Sequence, residues 1–435
     1  MKKLSLNCKK LYPILFIFSV FLVSTCSLSS QISVEQSRSV QSFIDMVGVS
    51  VHLSYGDTAY GNYDEIIKSR LQELGIHHIR DGISLDDLET QEKLKDLAEL
   101  SIKSTLVIDP RDEMTPDKAV TLAKLIPDSL EAVEGPNEWD LNPELQYGGK
   151  NFPEGVRQFQ SELYKALKDD PATNHLEILS PSLGRPQRAS DIRNLQCEVG
   201  NMHSYAGGRM PSHNLDRVWL PSAKILCNSD AIIATECGYH NDKDVRNHQP
   251  GVSEIAAAKY ISRLFPEYFN RGIKRAYIYE LIDLKPDPNF DRHNWHYGLL
   301  NNDGSPKPSF LALKNLVTLL QETTQDVFQP FSPQSLNYTI SGNTENIHHT
   351  LLQKRNGTFY LMLWQEVSSY DLRSKEDIRV LEKDLVVTLN TSISQAKTYQ
   401  PLHSVEALEQ YSNPSQINLQ IPDHLLILEL VPNKS

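Results

Sequence analysis

The chain has 435 residues, 40% of them hydrophobic and 23% charged, an ordinary globular composition with room for a large core. Its formal charge is −12 with no basic cluster, which argues against nucleic acid as a partner and disfavours polyanionic substrates. Of five cysteines, only Cys197, Cys227 and Cys237 lie beyond the first 26 residues, too few for a disulfide scaffold; no CxxC spacing suggests zinc.

The chain opens with Lys2, Lys3, Lys9 and Lys10 around a short apolar run at 11–23 that Pro13 interrupts. That run is too short to span a bilayer, and residues 1–27 read as a secretory signal peptide. Val23-Ser24-Thr25-Cys26 resembles a bacterial lipobox, although Thr25 stands where a smaller residue is usual. The expected location is therefore secreted, periplasmic or cell-surface, with membrane attachment through a lipidated Cys26 as the alternative to free release.

From residue 46 short apolar runs alternate with amphipathic ones. "VGVSVHLSY" (47–55) leads to Asn62, placed with Glu65 as a helix cap, and Gly75 stops that helix. "IHHIRDGI" (76–83), "STLVIDP" (104–110) and "LEAVEGPNEW" (130–139) follow, with a helix opened by Thr115 and Pro116 between the last two. A helix near 153–168 precedes "LEILSPSLG" (176–184), and a short helix near 188–195 precedes "EVGNMHSY" (198–205). A linker carrying Trp219 leads to "AIIATECGY" (231–239). The clearest helix starts at Ser253, and Pro266 should bend or interrupt it. "RAYIYELID" (275–283) and a helix at Pro308 complete the series.

Eight apolar runs alternating with helices predict a (β/α)8 TIM barrel over 40–323, with a doubly wound open sheet as the alternative. No Gly-rich phosphate loop follows the first run, which counts against the open sheet. Beyond residue 325, "TFYLMLWQEV" (358–367), "DLVVTLNTSI" (384–393) and "DHLLILELV" (423–431) are strand-like with no helix between them. They predict a small β-sandwich-like domain over 324–435.

In a barrel, function gathers where the strands end. The run ends carry His52 and Tyr55, Arg80 and Asp81, Asp109 and Arg111, Asn137 with Glu138 and Trp139, His203 and Tyr205, Glu236 and Tyr239, and Tyr279 with Glu280. Strands four and seven lie across the barrel mouth from one another, so Glu138 and Glu236 can face each other. Two such carboxylates suit glycoside hydrolysis, one protonated and one ionised. Arg80 is placed to keep the ionised one charged. Each residue alone has a plainer reading: Glu138 as a helix-initiating acid, Glu236 as an ion-pair partner of Arg80, Glu134 and His203 as structural groups.

"GPNE" at the end of the fourth run and "TECGY" about a hundred residues later resemble the clan A retaining glycoside hydrolases. The resemblance implies Glu138 as acid/base, Glu236 as nucleophile and Asn137 as the ligand of the sugar hydroxyl beside the anomeric carbon. "IRDG" brings Arg80 and "MHSY" brings His203 and Tyr205 into the implied substrate site. Many members of that clan carry a tryptophan at the end of strand eight. Here "YIYELID" puts Tyr279 or Glu280 there, with Trp295 in the next loop as a substitute. Trp139, Tyr55, Tyr239 and Trp295 are candidate stacking platforms for sugar rings, with ordinary packing as the plainer reading of each. Glu280 is a reserve carboxylate.

The expectation is a retaining glycosidase acting on a β-linked glycoside or polysaccharide, with a carbohydrate substrate and no metal or organic cofactor. Two rivals remain. One is a non-catalytic carbohydrate-binding protein on the same barrel, and the other is a metal-dependent hydrolase using His52, His203 and aspartates.

Overall fold

The computed structural model describes residues 33–245, 248–322 and 331–433. The leader, Cys26 and the expected junction between the two domains lie outside these residues.

Eight parallel strands form one sheet: Val47–Ser50, His78–Gly82, Lys103–Val107, Leu130–Glu134, Glu177–Leu179, Gly200–His203, Ile232–Cys237 and Arg275–Ile278. Strands consecutive in sequence are adjacent, and the eighth pairs with the first, Tyr277 opposite Gly48. A parallel bridge between Leu179 and Val199 joins the fifth to the sixth and closes the barrel. The TIM-barrel reading therefore holds against the open sheet. Strands one and seven are buried at every residue, because barrel core and helices cover both faces. That is why their sequences read as continuous apolar runs.

Several helix boundaries follow from side-chain capping. Thr115 accepts a hydrogen bond from the amide of Lys118 ahead of Pro116–Leu125, and Ser253 accepts one from Ala256 ahead of Glu254–Asn270. Gly75 ends Lys68–Leu74 in the left-handed conformation, φ 71°. Asn62 departs from expectation. Its side chain makes no capping bond, and a wide first turn, Tyr63–Ile67, leads into the helix instead. The segment at Trp219 is no linker but the entry to a helix, Leu220–Cys227, whose Pro221 occupies the first turn. The helix expected near 188–195 is a tight turn at Pro186–Asp191.

The helix Glu254–Asn270 runs through Pro266 without interruption. Tertiary packing accounts for this. Nearly every side chain from Ala256 to Phe269 is buried, because the helix lies between the barrel and the second domain. The wholly buried Arg263 donates to the carbonyl of Val367, and Glu267 accepts from the indole of Trp364 at 2.8 Å. Those contacts hold the two halves in line where propensity would break them.

The second domain packs a four-stranded antiparallel sheet against a six-stranded one over a core including Leu336, Leu361, Val387 and Leu428. It also takes strands from the start of the described chain. Ser33–Gln36 pairs antiparallel with Ser335–Gly342, and Arg38–Ser39 pairs with Ile347–Gln353. The described residues thus begin in the β domain before the chain enters the barrel, and the sequence reading assigned 33–39 to neither domain. Among the described residues no helix is long and apolar enough to cross a membrane.

Candidate active site

The fourth strand ends at Glu134, and Gly135-Pro136-Asn137 carries the chain over the barrel rim. Gly135 is favoured by close packing: a Cβ there would lie 2.1 Å from the Gln160 amide oxygen and 3.0 Å from Pro181 Cγ. Asn137 bridges to Ser182 beside the fifth strand. Glu138 then takes a left-handed backbone, φ 53°, which turns its side chain toward the mouth.

Arg80, on the second strand and 5% exposed, organises the floor. It donates to both oxygens of Glu134 at 2.9 and 3.0 Å, to Glu236 Oε1 at 2.6 Å, and to Asn137 Oδ1 at 2.8 Å. Ser182 donates to the same Asn137 oxygen at 3.0 Å, which fixes the amide orientation. Burial pushes the Glu134 carboxyl up, but the Arg80 and His203 cations outweigh it and bring it down to about 2. Tyr205 donates to the other Glu236 oxygen at 2.6 Å.

His203 lies between the two candidate catalytic acids. Its Nδ1 is 2.7 Å from Glu138 Oε1 and 3.5 Å from Glu236 Oε2. Its Nε2 faces Thr235 Oγ1 at 3.2 Å and Glu134 at 3.7 Å. Burial opposes a charged ring, yet Glu236, Glu134 and Glu138 together raise it to about 10. Burial likewise raises Glu138, but the hydrogen bond and charge of His203 hold its carboxyl below the usual value. Stability has a pH dependence of known sign. The folded imidazole is raised above the unfolded value of 6.5, so its contribution is complete below that value and is lost as pH climbs toward 10. Thermal denaturation from pH 6 to 10 should show a fall in Tm that His203→Gln flattens. Equal slopes for both proteins would refute a charged His203.

One oxygen each from Glu138 and Glu236 and one ring nitrogen of His203 lie within 4.8 Å of one another. Two carboxylates and an imidazole are a donor set that a divalent ion could use. The Arg80 guanidinium against Glu236 Oε1 already neutralises that carboxylate and would repel a second cation.

These groups face a cleft of about 770 Å³ at the C-terminal end of the barrel. Of the residues singled out in sequence, Arg80, Asn137, Glu138, His203, Tyr205, Glu236 and Tyr55 line it. Trp139, Tyr239, Glu280 and Trp295 do not. The Trp139 indole is buried and donates to the Asp109 carboxylate at 3.1 Å, so it buttresses the fourth strand. Tyr239 is buried against Tyr260, its hydroxyl on the Arg209 carbonyl. Glu280 is fully buried beneath the site, accepting from Tyr60 at 3.2 Å, and burial with nearby Asp283 pushes its carboxyl well above the usual range. Trp295 packs on the barrel core. At the end of strand eight it is Tyr279 that reaches the cleft, its hydroxyl 3.2 Å from His52 Nε2.

The sequence reading missed Asp109 as a site residue. Its carboxylate accepts from the Asn137 amide at 2.8 Å, from Trp139 and from Arg111, and so sets the angle of the Asn137-Glu138 turn. Its place at the third strand end was the signal available. Tyr297, Gln249 and His293 also line the cleft from loops whose sequences carry no periodic signal.

No family model and no curated protein sequence matches this chain. Solved structures do resemble it along nearly its whole length. A glucosidase from Croceicoccus marinus superimposes with a TM-score of 0.60 at 10% identity, covering 92% of this chain and 97% of that one. A GH39 enzyme from Xanthomonas axonopodis pv. citri gives 0.56 at 13% identity, covering 92% and 96%. A further glycoside hydrolase gives 0.51 at 10% identity, covering 89% and 93%. The shared property is the fold: an eight-stranded parallel barrel with a β domain.

Proposed function

We propose that this protein is a retaining glycoside hydrolase that cleaves a β-linked glycoside or polysaccharide. The observation that carries the reading is the pair Glu138 and Glu236, presented from strands four and seven with oxygens within 4.8 Å. Oxygens that close fit the short carboxylate separation of double displacement, about 5–5.5 Å, better than the wider one that leaves room for a water. Glycosidases among the solved structures of the same architecture support it.

In this mechanism Glu236 attacks the anomeric carbon while Arg80 and Tyr205 hold its oxygens in place. The glycosidic C–O bond breaks, and Glu138 gives a proton to the departing oxygen. The surrounding carboxylates favour the protonated ring of His203, and that charge holds Glu138 ionised, so His203 supplies the proton across their 2.7 Å hydrogen bond. Water then attacks the glycosyl ester of Glu236, and Glu138 takes up its proton. Asn137 uses its N–H groups on the neighbouring sugar hydroxyl, since its oxygen is already occupied by Arg80 and Ser182.

The test is sugar release from a panel of β-glycans and aryl β-glycosides with and without EDTA. Release unaffected by chelation is expected. Release abolished by EDTA and restored by a divalent metal would favour the hydrolase that uses the Glu138, His203 and Glu236 donors as ligands. Tight glycan binding with no turnover would favour the binding protein.

We also infer export from the reducing cytoplasm. Cys197 and Cys227 form a disulfide across 30 residues, while Cys237 is buried and free. Such bonds persist in oxidising compartments. Cell fractionation with thiol counting is expected to recover the protein outside the cytoplasm with one thiol, reactive only after unfolding. Recovery in the cytosol with all five cysteines as free thiols would refute export.

A further inference from the structure

Beside the catalytic cleft lies a second hollow of about 420 Å³, at the ends of strands one to three. It is continuous with the cleft, sharing His52, Tyr55, Gly82, Arg111 and Asp112 with it. None of the groups in the mechanism above faces it.

Tyr55 stands at the boundary. It is 46% exposed, unusual for an aromatic side chain in so well packed a barrel. One face of its ring is covered by His52, with centroids 4.6 Å apart and planes within 7°. His52 is itself held, 3.2 Å from the Tyr279 hydroxyl and edge-on to Tyr60. The free face of Tyr55 is thus a rigid apolar plate between two connected cavities. A plate fixed in this way loses little freedom when a flat ligand settles on it, and the C–H face of a pyranose is such a ligand.

The hollow is also acidic. Asp86, Asp87, Asp112 and Glu113 line it. Among the described residues the only arginine or lysine lining it, Arg111, is committed to the Asp109 carboxylate at 2.8 Å and to the Asn137 carbonyl at 2.7 Å. A sugar carrying a carboxylate would meet repulsion there, whereas hydroxyl donors would find free acceptors.

Resting on the glycosidase reading above, we propose that this hollow is a further sugar subsite, with Tyr55 as its stacking platform, that takes a unit without a carboxylate. The cleft itself accommodates the two units flanking the scissile bond, and the hollow takes the next. The substrate is then a chain of at least three units rather than a disaccharide or simple glycoside.

The experiment compares kcat/KM on β-1,4-linked gluco-, xylo- and manno-oligosaccharides of two, three and four units. A rise of about tenfold or more from two units to three is expected for the accepted sugar. Tyr55→Ala should remove that rise and Tyr55→Phe should keep it, because the ring face and not the hydroxyl is used. Ser84→Trp, which fills the hollow from its wall, should also remove it. Trisaccharides ending in glucuronate should lose the gain. A flat dependence on chain length in the active parent overturns the subsite alone, as does an equal loss on two and three units in Tyr55→Ala. Equal turnover of glucuronate-ended chains overturns the assigned selectivity. No turnover of any oligosaccharide defeats the glycosidase reading and the subsite with it.

Discussion

Glu236→Gln is expected to lower glycoside turnover on the order of 10⁴-fold or more while leaving the protein folded. The change is nearly isosteric. The amide oxygen can still accept from Arg80, and the Tyr205 hydroxyl can rotate to accept from the new N–H. What disappears is the proposed nucleophile, so the loss should be large for good and poor leaving groups alike. Glu138→Ala should behave differently. An aryl leaving group that departs without a proton needs no acid, so its cleavage should suffer far less than that of an alkyl or sugar glycoside. Added azide should then capture the glycosyl ester of Glu236 and give a glycosyl azide of retained configuration. Equal losses on activated and unactivated substrates in Glu138→Ala, or appreciable turnover by Glu236→Gln, would reverse or remove the two roles. The loss should come with a second effect. Removing the Glu236 charge takes away the largest influence that keeps His203 protonated, so the imidazole should titrate at lower pH in Glu236→Gln than in the parent.

Arg80→Met should be the most damaging single change to stability in the site, at about 3–5 kcal/mol. The side chains are of similar volume, so the cost arises from charge rather than from a cavity. Glu134 is wholly buried and would keep only His203, 3.7 Å away, while Glu236 would lose its 2.6 Å partner. The pH dependence supplies the check on cause. In the parent, Glu134 is depressed below its unfolded value of 4.5 to about 2, so its contribution is present above 4.5 and is lost as pH falls toward 2. In Arg80→Met the desolvated carboxyl should rise instead, and its penalty should shrink on acidification. Urea denaturation at pH 7 and pH 5 should therefore show a smaller gap between the two proteins at the lower pH. Adding Glu134→Gln to Arg80→Met should recover part of the loss. A gap that is constant with pH, and a double variant no better than the single, would show that Arg80 acts through packing alone.

How much of this was legible beforehand differs by element. The parallel barrel could be read because strands such as the first and seventh are buried on both faces and several helices between strands carry their own cap or stop, as at Thr115, Ser253 and Gly75. Where a local signal was overridden, the cause is tertiary. Pro266 does not break its helix because the β domain clamps it from outside. Asn62 does not cap because the turn opens wide. Residues 33–39 were left outside both domains for a related reason: two short strands pair with partners some three hundred residues away, and nothing local marks such a pairing.

The chain's own pattern determined that carboxylates, an arginine, a histidine and aromatics would collect at one end of a barrel, because strand period and topology bring strand ends together whatever the side chains are. Which way each side chain turns was decided only by the tertiary structure. Tyr55 and Tyr279 reach the cleft, while Trp139, Tyr239 and Glu280 at equivalent positions turn into the protein. The difference is set by what lies beside them. Asp109 offers the Trp139 indole a buried acceptor, the Arg209 carbonyl does the same for the Tyr239 hydroxyl, and Tyr60 donates its hydroxyl to Glu280. Such partners come from distant parts of the chain, and a polar group leaves the solvent most readily where one awaits it.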